Sequence, residues 1–177
     1  MKKNILIFGL ISGLIVSTLM SISMLVCAHS QSLEGSMILG YTIMLLSFSL
    51  IFVGIKNYRD NYNNGFISYG KAFRIGILIS LVASTCYVIT WAIVYHNFMP
   101  DFMDKWVAKT LSEAQQHGSS AQELKKMSEK LQGDAYSYHH NPLIFVAYTY
   151  MEIFPVGLLV TLITSAFLMK RKKQLAN

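Results

Sequence analysis

The chain has 177 residues, 53% of them hydrophobic and 14% charged, a poor match for a water-soluble surface. Its formal net charge of +6 does not imply nucleic acid, because the basic residues gather at the ends of long uncharged apolar runs. Such runs reach the 18 or so residues that a helix needs to cross about 30 Å of hydrocarbon, and helices are expected because every backbone polar group must be paired within the segment.

The first run covers 4–26 and follows Lys2 and Lys3. A secretory signal with small residues at Ala28-His29-Ser30 is its rival, but an h-region is normally about 7–15 residues and this run is longer. A lipoprotein signal ending at Cys27 fits less well, since Leu25 and Val26 stand where small residues belong. The second run, 37–55, stops at Lys56, and the third, 75–96, begins after Arg74. The fourth, 145–169, contains Glu152 and ends at Lys170-Arg171-Lys172-Lys173. Ten of the fifteen Lys and Arg residues then fall on the side of both termini, so the positive-inside rule makes that side cytoplasmic. The lipid bilayer is thus the first partner.

Helices in lipid associate through small residues that permit close backbone approach. Gly9, Gly13, Ser17 and Ser21 repeat every four residues in the first run, as do Ala72, Gly76, Ser80 and Ser84 near the third, and Gly157, Thr161 and Ser165 in the fourth. Gly40, Ser47 and Gly54 recur every seven in the second. The expected architecture is an all-α membrane protein, a compact four-helix bundle forming one domain over 1–177. The same stripes could serve a homodimer.

Between the third and fourth runs, the loop 98–142 has helical punctuation of its own. Pro100 suits a first-turn position, with Asp101 and Asp104 where the helix dipole favours acids. Phe102, Met103, Trp106, Val107 and Thr110 recur at helical spacing, and the pattern ends at His117-Gly118. Ser120 and Glu123 have capping-box spacing, Leu124, Met127 and Leu131 mark one apolar face, and Gly133 is expected to stop the second helix. These two amphipathic helices could lie on the membrane, cover the end of the bundle, or bind a protein.

Glu152 is the acid inside a predicted span and hence the default functional candidate, although a depth of about one turn favours a snorkelling or hydrogen-bonded carboxyl. Pro155 removes a hydrogen bond beside it, and a broken backbone next to a carboxyl is the arrangement of transporter ion sites. The histidines His29, His96, His117, His139 and His140 fall near the outer side, so a pH-sensing or metal role for His96, His139 and His140 is conceivable. No H-x-x-x-H or H-E-x-x-H spacing occurs, and neighbours 139 and 140 are expected to point apart. No metal and no cofactor is expected. Trp91, Tyr95, Phe98, Trp106, Tyr136, Tyr138, Tyr148 and Tyr150 read as an aromatic girdle at the outer interface. Cys27 and Cys86 lie at different depths, without redox or zinc spacing, and no disulfide is expected. With no nucleophile beside a base, no phosphate loop and no dinucleotide fingerprint, an enzyme is not expected.

The stretch Lys56-Asn57-Tyr58-Arg59-Asp60, followed by Asn64-Gly65-Phe66-Ile67-Ser68-Tyr69-Gly70-Lys71-Ala72-Phe73, resembles a bacterial membrane family, domain of unknown function 4199. Glu152-Ile153-Phe154-Pro155-Val156-Gly157 and Lys170-Arg171-Lys172 are similar as well. The resemblance implies four helices in the cytoplasmic membrane with a long loop before the last, and it implies no activity. The expected function is a non-enzymatic structural or interaction protein, packing with itself or with a membrane protein partner. The alternative is a small ion-coupled carrier using Glu152 beside the Pro155 break.

Overall fold

A computed structural model describes residues 1–30 and 36–170, apart from the side chains of residues 25, 27–30, 36 and 37. Among the described residues there are six helices: α1 (Lys2–Ser30), α2 (Ser36–Tyr62), α3 (Tyr69–Phe98), α4 (Phe102–Gln116), α5 (Ala121–His140) and α6 (Pro142–Leu168). Stretches of 23, 25, 30 and 27 residues in α1, α2, α3 and α6 are long and apolar enough to cross a membrane. All four helices also leave large apolar side chains exposed, among them Leu14, Leu46, Leu81 and Phe167. In water that surface would be untenable; against lipid it costs nothing.

The membrane helices outrun the hydrophobic runs that announced them. α2 continues past Ile55 to Tyr62, and α3 starts at Tyr69, six residues before Ile75. Lys56, Arg59, Lys71 and Arg74 end the hydropathy but not the helix, because a charged side chain at the interface leaves i→i−4 bonding intact.

The chain divides into two compact units, residues 1–91 with 150–177, and residues 92–149. Within the first, Phe48, Ile51, Ile55, Ile75, Ile79 and Ile153 are fully buried. α1 and α2 are antiparallel and joined by two buried hydrogen bonds, Asn4 Nδ2 to the Gly54 carbonyl (2.9 Å) and Ser12 Oγ to the Ser47 carbonyl (2.8 Å). α1 and α3 run parallel: a Cβ placed on Gly9 would lie 2.7 Å from Val82 Cβ, and one on Gly13 2.7 Å from Cys86 Cβ. α3 and α6 are antiparallel, with Gly76 against Thr161 and Gly157 against Ser80. The stripes therefore meet other helices of the same chain. Gly40, with nothing within 4 Å, is different.

The segment between α2 and α3 folds into a tight knot. Asn64 and Gly65 take positive φ (53° and 78°), and the Gly65 N–H donates to the Arg59 carbonyl at 2.9 Å. Asn63 Nδ2 donates to the Phe66 carbonyl, and Lys71 Nζ donates to Asn63 Oδ1 at 3.1 Å while lying 5.1 Å from the Tyr58 ring centre. Ile67, 1% exposed, then exchanges two backbone hydrogen bonds with Lys170 (3.0 and 2.9 Å) in an isolated antiparallel bridge. Arg59, held by Asp60 at 2.7 Å, reaches the Leu168 carbonyl at 3.5 Å. This knot is the stretch on which the family resemblance rests.

In the second unit, α4 starts one residue after its N-cap, Asp101, so Pro100 is not in the first turn. The Phe102 N–H donates instead to the Met99 carbonyl (3.1 Å), which puts Pro100 at the second position of a turn, where its fixed φ fits equally well. α4 ends in a Schellman motif: the N–H groups of Ser119 and Gly118 donate to Ala114 and Gln115 carbonyls, with Gly118 at φ 85°. α5 begins at the predicted capping box of Ser120 and Glu123 but runs through Gly133 to His140. Gly133 has no positive φ, and the next turn buries Ala135, which offsets the roughly 1 kcal/mol that a helical glycine costs.

Candidate functional site

α4 and α5 pack against each other and bury Val107 and Ala135, so part of each amphipathic face meets the other helix. Two ion pairs lie along α4. Lys105 pairs with Asp101 at 2.7 Å, holding that carboxyl below its ordinary value, and Lys109 lies 3.6 Å from Glu113. The Glu123 carboxyl is likewise lowered, first by the Ser120 backbone N–H and then by its hydroxyl. Asp104 makes no ion pair or hydrogen bond among the described residues.

Because α5 continues past Gly133, it delivers Tyr136, Tyr138, His139 and His140 to the segment of α3 ending at Phe98. Tyr95, fully buried, shares a 3.1 Å hydrogen bond with His139 Nδ1. Its ring meets His96, Tyr138 and Phe145 at centroid distances of 5.1, 5.5 and 5.4 Å. Tyr138 in turn bonds Thr149 at 3.3 Å; the Thr149 hydroxyl already donates to the Phe145 carbonyl, so Tyr138 is the donor. His140 stacks on Tyr136 (4.1 Å, 24°), and its Nδ1 lies 2.9 Å from the Tyr136 carbonyl. A carbonyl only accepts, which fixes the proton on Nδ1 and leaves Nε2 of the neutral ring as an acceptor.

The structure thus brings His96, His139 and His140 together, with 6.2 Å between the rings of 96 and 139 and 4.9 Å between those of 139 and 140. The expectation that 139 and 140 point apart is corrected: their rings touch edge to face, although their hydrogen-bond partners differ. His117 is the exposed C-cap of α4, away from this group, and the side chain of His29 lies outside the described residues. Among the described residues no three His, Cys, Asp or Glu are arranged to hold a metal ion. Trp91 and Tyr95, expected as interfacial anchors, are 5% and 0% exposed. They occupy the inward stripe of α3 that also carries Ser80, Ser84 and Tyr87.

A half-open cavity of about 850 Å³ lies between α4 and α5. Asp101, Asp104, Tyr95, Gln132, Tyr136, His139 and His140 supply its polar lining, Met103, Val107, Leu111 and Ala135 belong to its apolar wall, and no Lys or Arg lines it. The sequence pattern missed this grouping, since the stop expected at Gly133 would have removed Ala135, Tyr136, His139 and His140 from the helix.

Glu152 belongs to the first unit. It is hydrogen-bonded by the buried Tyr87 side chain of α3, and two residues earlier Tyr150 shares a 2.7 Å hydrogen bond with Thr85. α6 is helical on both sides of Pro155, whose ring forgoes the bond to the Met151 carbonyl. In the same unit, Ser80, Ser84, Thr161 and Ser165 are buried with hydroxyls that find no hydrogen-bond partner among the described residues. Cys86 is a free thiol; Cys27 has no described side chain.

The family model described as "Protein of unknown function (DUF4199)" matches residues 7–170. The chain belongs to the DUF4199 family. That match takes in the knot at 63–68, its bridge to Lys170, the Tyr87–Glu152 pair and the whole α4–α5 cavity. No curated protein and no solved structure matches this DUF4199 chain. With its four apolar helices it is a multi-pass integral membrane protein.

Proposed function

We propose that this DUF4199 protein is a non-enzymatic protein of the bacterial cytoplasmic membrane, built as a four-helix bundle with both termini cytoplasmic, and that it meets its ligand or partner through α4 and α5 on the outer side. The observation that carries the reading is the division of labour between the units. In the first, Gly9, Gly13, Gly76 and Gly157 are used up against neighbouring helices of the same chain. In the second, an open cavity gathers two carboxylates, two imidazoles and two phenols. Apolar-walled pockets with a few convergent polar groups are where small ligands commonly bind. The distribution of Lys and Arg supports the orientation.

Single cysteines placed at Ser119 and at Asn64, in a Cys27→Ser, Cys86→Ser background, test it. A membrane-impermeant maleimide added to intact spheroplasts should label position 119 and spare 64. Labelling of 64 alone would overturn the orientation, and with it the outer recognition role.

A second reading rests on the Tyr87–Glu152 hydrogen bond, which lies within predicted spans where an ionisable group is a candidate for proton coupling. In proteoliposomes, proton-linked flux abolished by Glu152→Gln would establish it. Flux that survives the substitution would remove Glu152 from the path.

A further inference from the structure

Resting on the reading of α4–α5 as the recognition unit, we infer that its cavity takes a small organic cation with an apolar body, held by the Asp104 carboxylate and the Tyr136 ring. Charge is the first argument. Two carboxylates line the cavity without a lining Lys or Arg; Asp101 is neutralised by Lys105, and Asp104 is left uncompensated. An anion would meet Asp104 with nothing to offset it, and a purely apolar guest would desolvate that carboxylate without a partner.

Ring geometry is the second. Tyr136 is 66% exposed, so one face is open, while the stacked His140 supports its ring. The Nδ1 proton of His140 is committed to the Tyr136 carbonyl, which holds the pair in register. An open phenol face in the same cavity as a carboxylate is an arrangement that attracts ammonium groups. Size is the third argument: about 850 Å³ suits a guest larger than a bare ion, and Met103, Val107 and Leu111 offer its body an apolar wall. A metal ion is disfavoured by the spacing of the same side chains, which brings no three ligands together.

The test uses the full chain in an uncharged detergent, titrated with benzyltrimethylammonium by calorimetry, beside neopentylbenzene, its uncharged isostere. Saturable binding is expected, about tenfold weaker in Asp104→Asn and several-fold weaker in Tyr136→Leu, with the isostere at least about tenfold weaker than the cation. Asp134→Asn, which alters an acid outside the cavity, should leave the affinity unchanged. Because Asp104 and Tyr136 are both exposed, the variants should retain the parent unfolding midpoint; if one does not, the other still decides. No saturable binding, equal binding of the isostere, or an affinity indifferent to both substitutions would overturn the inference. Failure here with position 119 still labelled from outside rejects the cation alone, whereas loss of that labelling rejects the recognition role itself.

Discussion

Gly76→Ala is a one-carbon change whose cost can be worked from the α3–α6 contact. The new Cβ would sit 2.6 Å from Thr161 Cγ2 and 3.0 Å from its Oγ1, well inside the 3.4 Å at which ordinary contact begins, with Ile55 Cδ1 at 3.1 Å. Ala recovers up to about 1 kcal/mol of helix propensity, whereas overpacking a filled interface costs about 1–3 kcal/mol, so a net loss of about 1–2 kcal/mol is expected. Thr161→Ala removes both of the nearest atoms. Its hydroxyl has no hydrogen-bond partner, so that variant alone forfeits little beyond a methyl group, about 1 kcal/mol. In the double variant the overlap is gone and only the flexible end of Ile55 must shift. The two substitutions should therefore couple favourably by about 1 kcal/mol or more. Reversible unfolding in mixed micelles with increasing dodecyl sulfate measures each corner of the cycle, and Gly40→Ala, with open space around it, should be neutral or slightly stabilising. Strict additivity, or a Gly76→Ala protein as stable as the parent, would refute close α3–α6 packing at this level.

Gly118→Ala meets no atom within 4 Å, so its cost is conformational alone, about 1–2 kcal/mol for an L-residue at φ 85°, and a lowered melting temperature should report it. Ser120→Ala should lose about 1 kcal/mol through the N-cap, visible as reduced helicity in circular dichroism. Since the Glu123 carboxyl is lowered from an ordinary value of 4.5, its contribution is fully present above that value and disappears as pH falls through the lower folded one. An acid titration of parent and Glu123→Gln should show that contribution in the parent only; matching curves would argue against the capping box. Ile67→Ala, at a site 1% exposed, should cost about 2–4 kcal/mol and speed proteolysis near Lys170; resistance equal to the parent would show the bridge to be dispensable.

What could be read from the residues was what is encoded locally. Four apolar runs announce four long helices because the bilayer sets their length, and the pairs His117-Gly118 and Ser120/Glu123 announce a stop and a restart because each is completed within a few residues. Hydropathy marks the membrane and not the helix, so it carries no signal for the turns by which α2 and α3 extend past their apolar runs. Gly118 and Gly133 look alike in sequence, and only tertiary burial of Ala135 makes one a terminator and the other a passenger. The histidine and tyrosine grouping depended on that difference. The Ile67–Lys170 bridge, joining residues a hundred positions apart, has no local signal at all.

That bridge has a mechanical corollary. Its two reciprocal hydrogen bonds fasten the start of α3 to the end of α6, as a pin joint fastens two rods. Relative displacement of the two helices is smallest at the pin and grows along them. Tyr87 lies 18 residues up α3 from Tyr69, about 27 Å at 1.5 Å per residue, so a swing of only about 10° would separate it from Glu152 by roughly 5 Å. The Tyr87–Glu152 hydrogen bond thus sits well along a lever, where a small angular motion is already enough to break it.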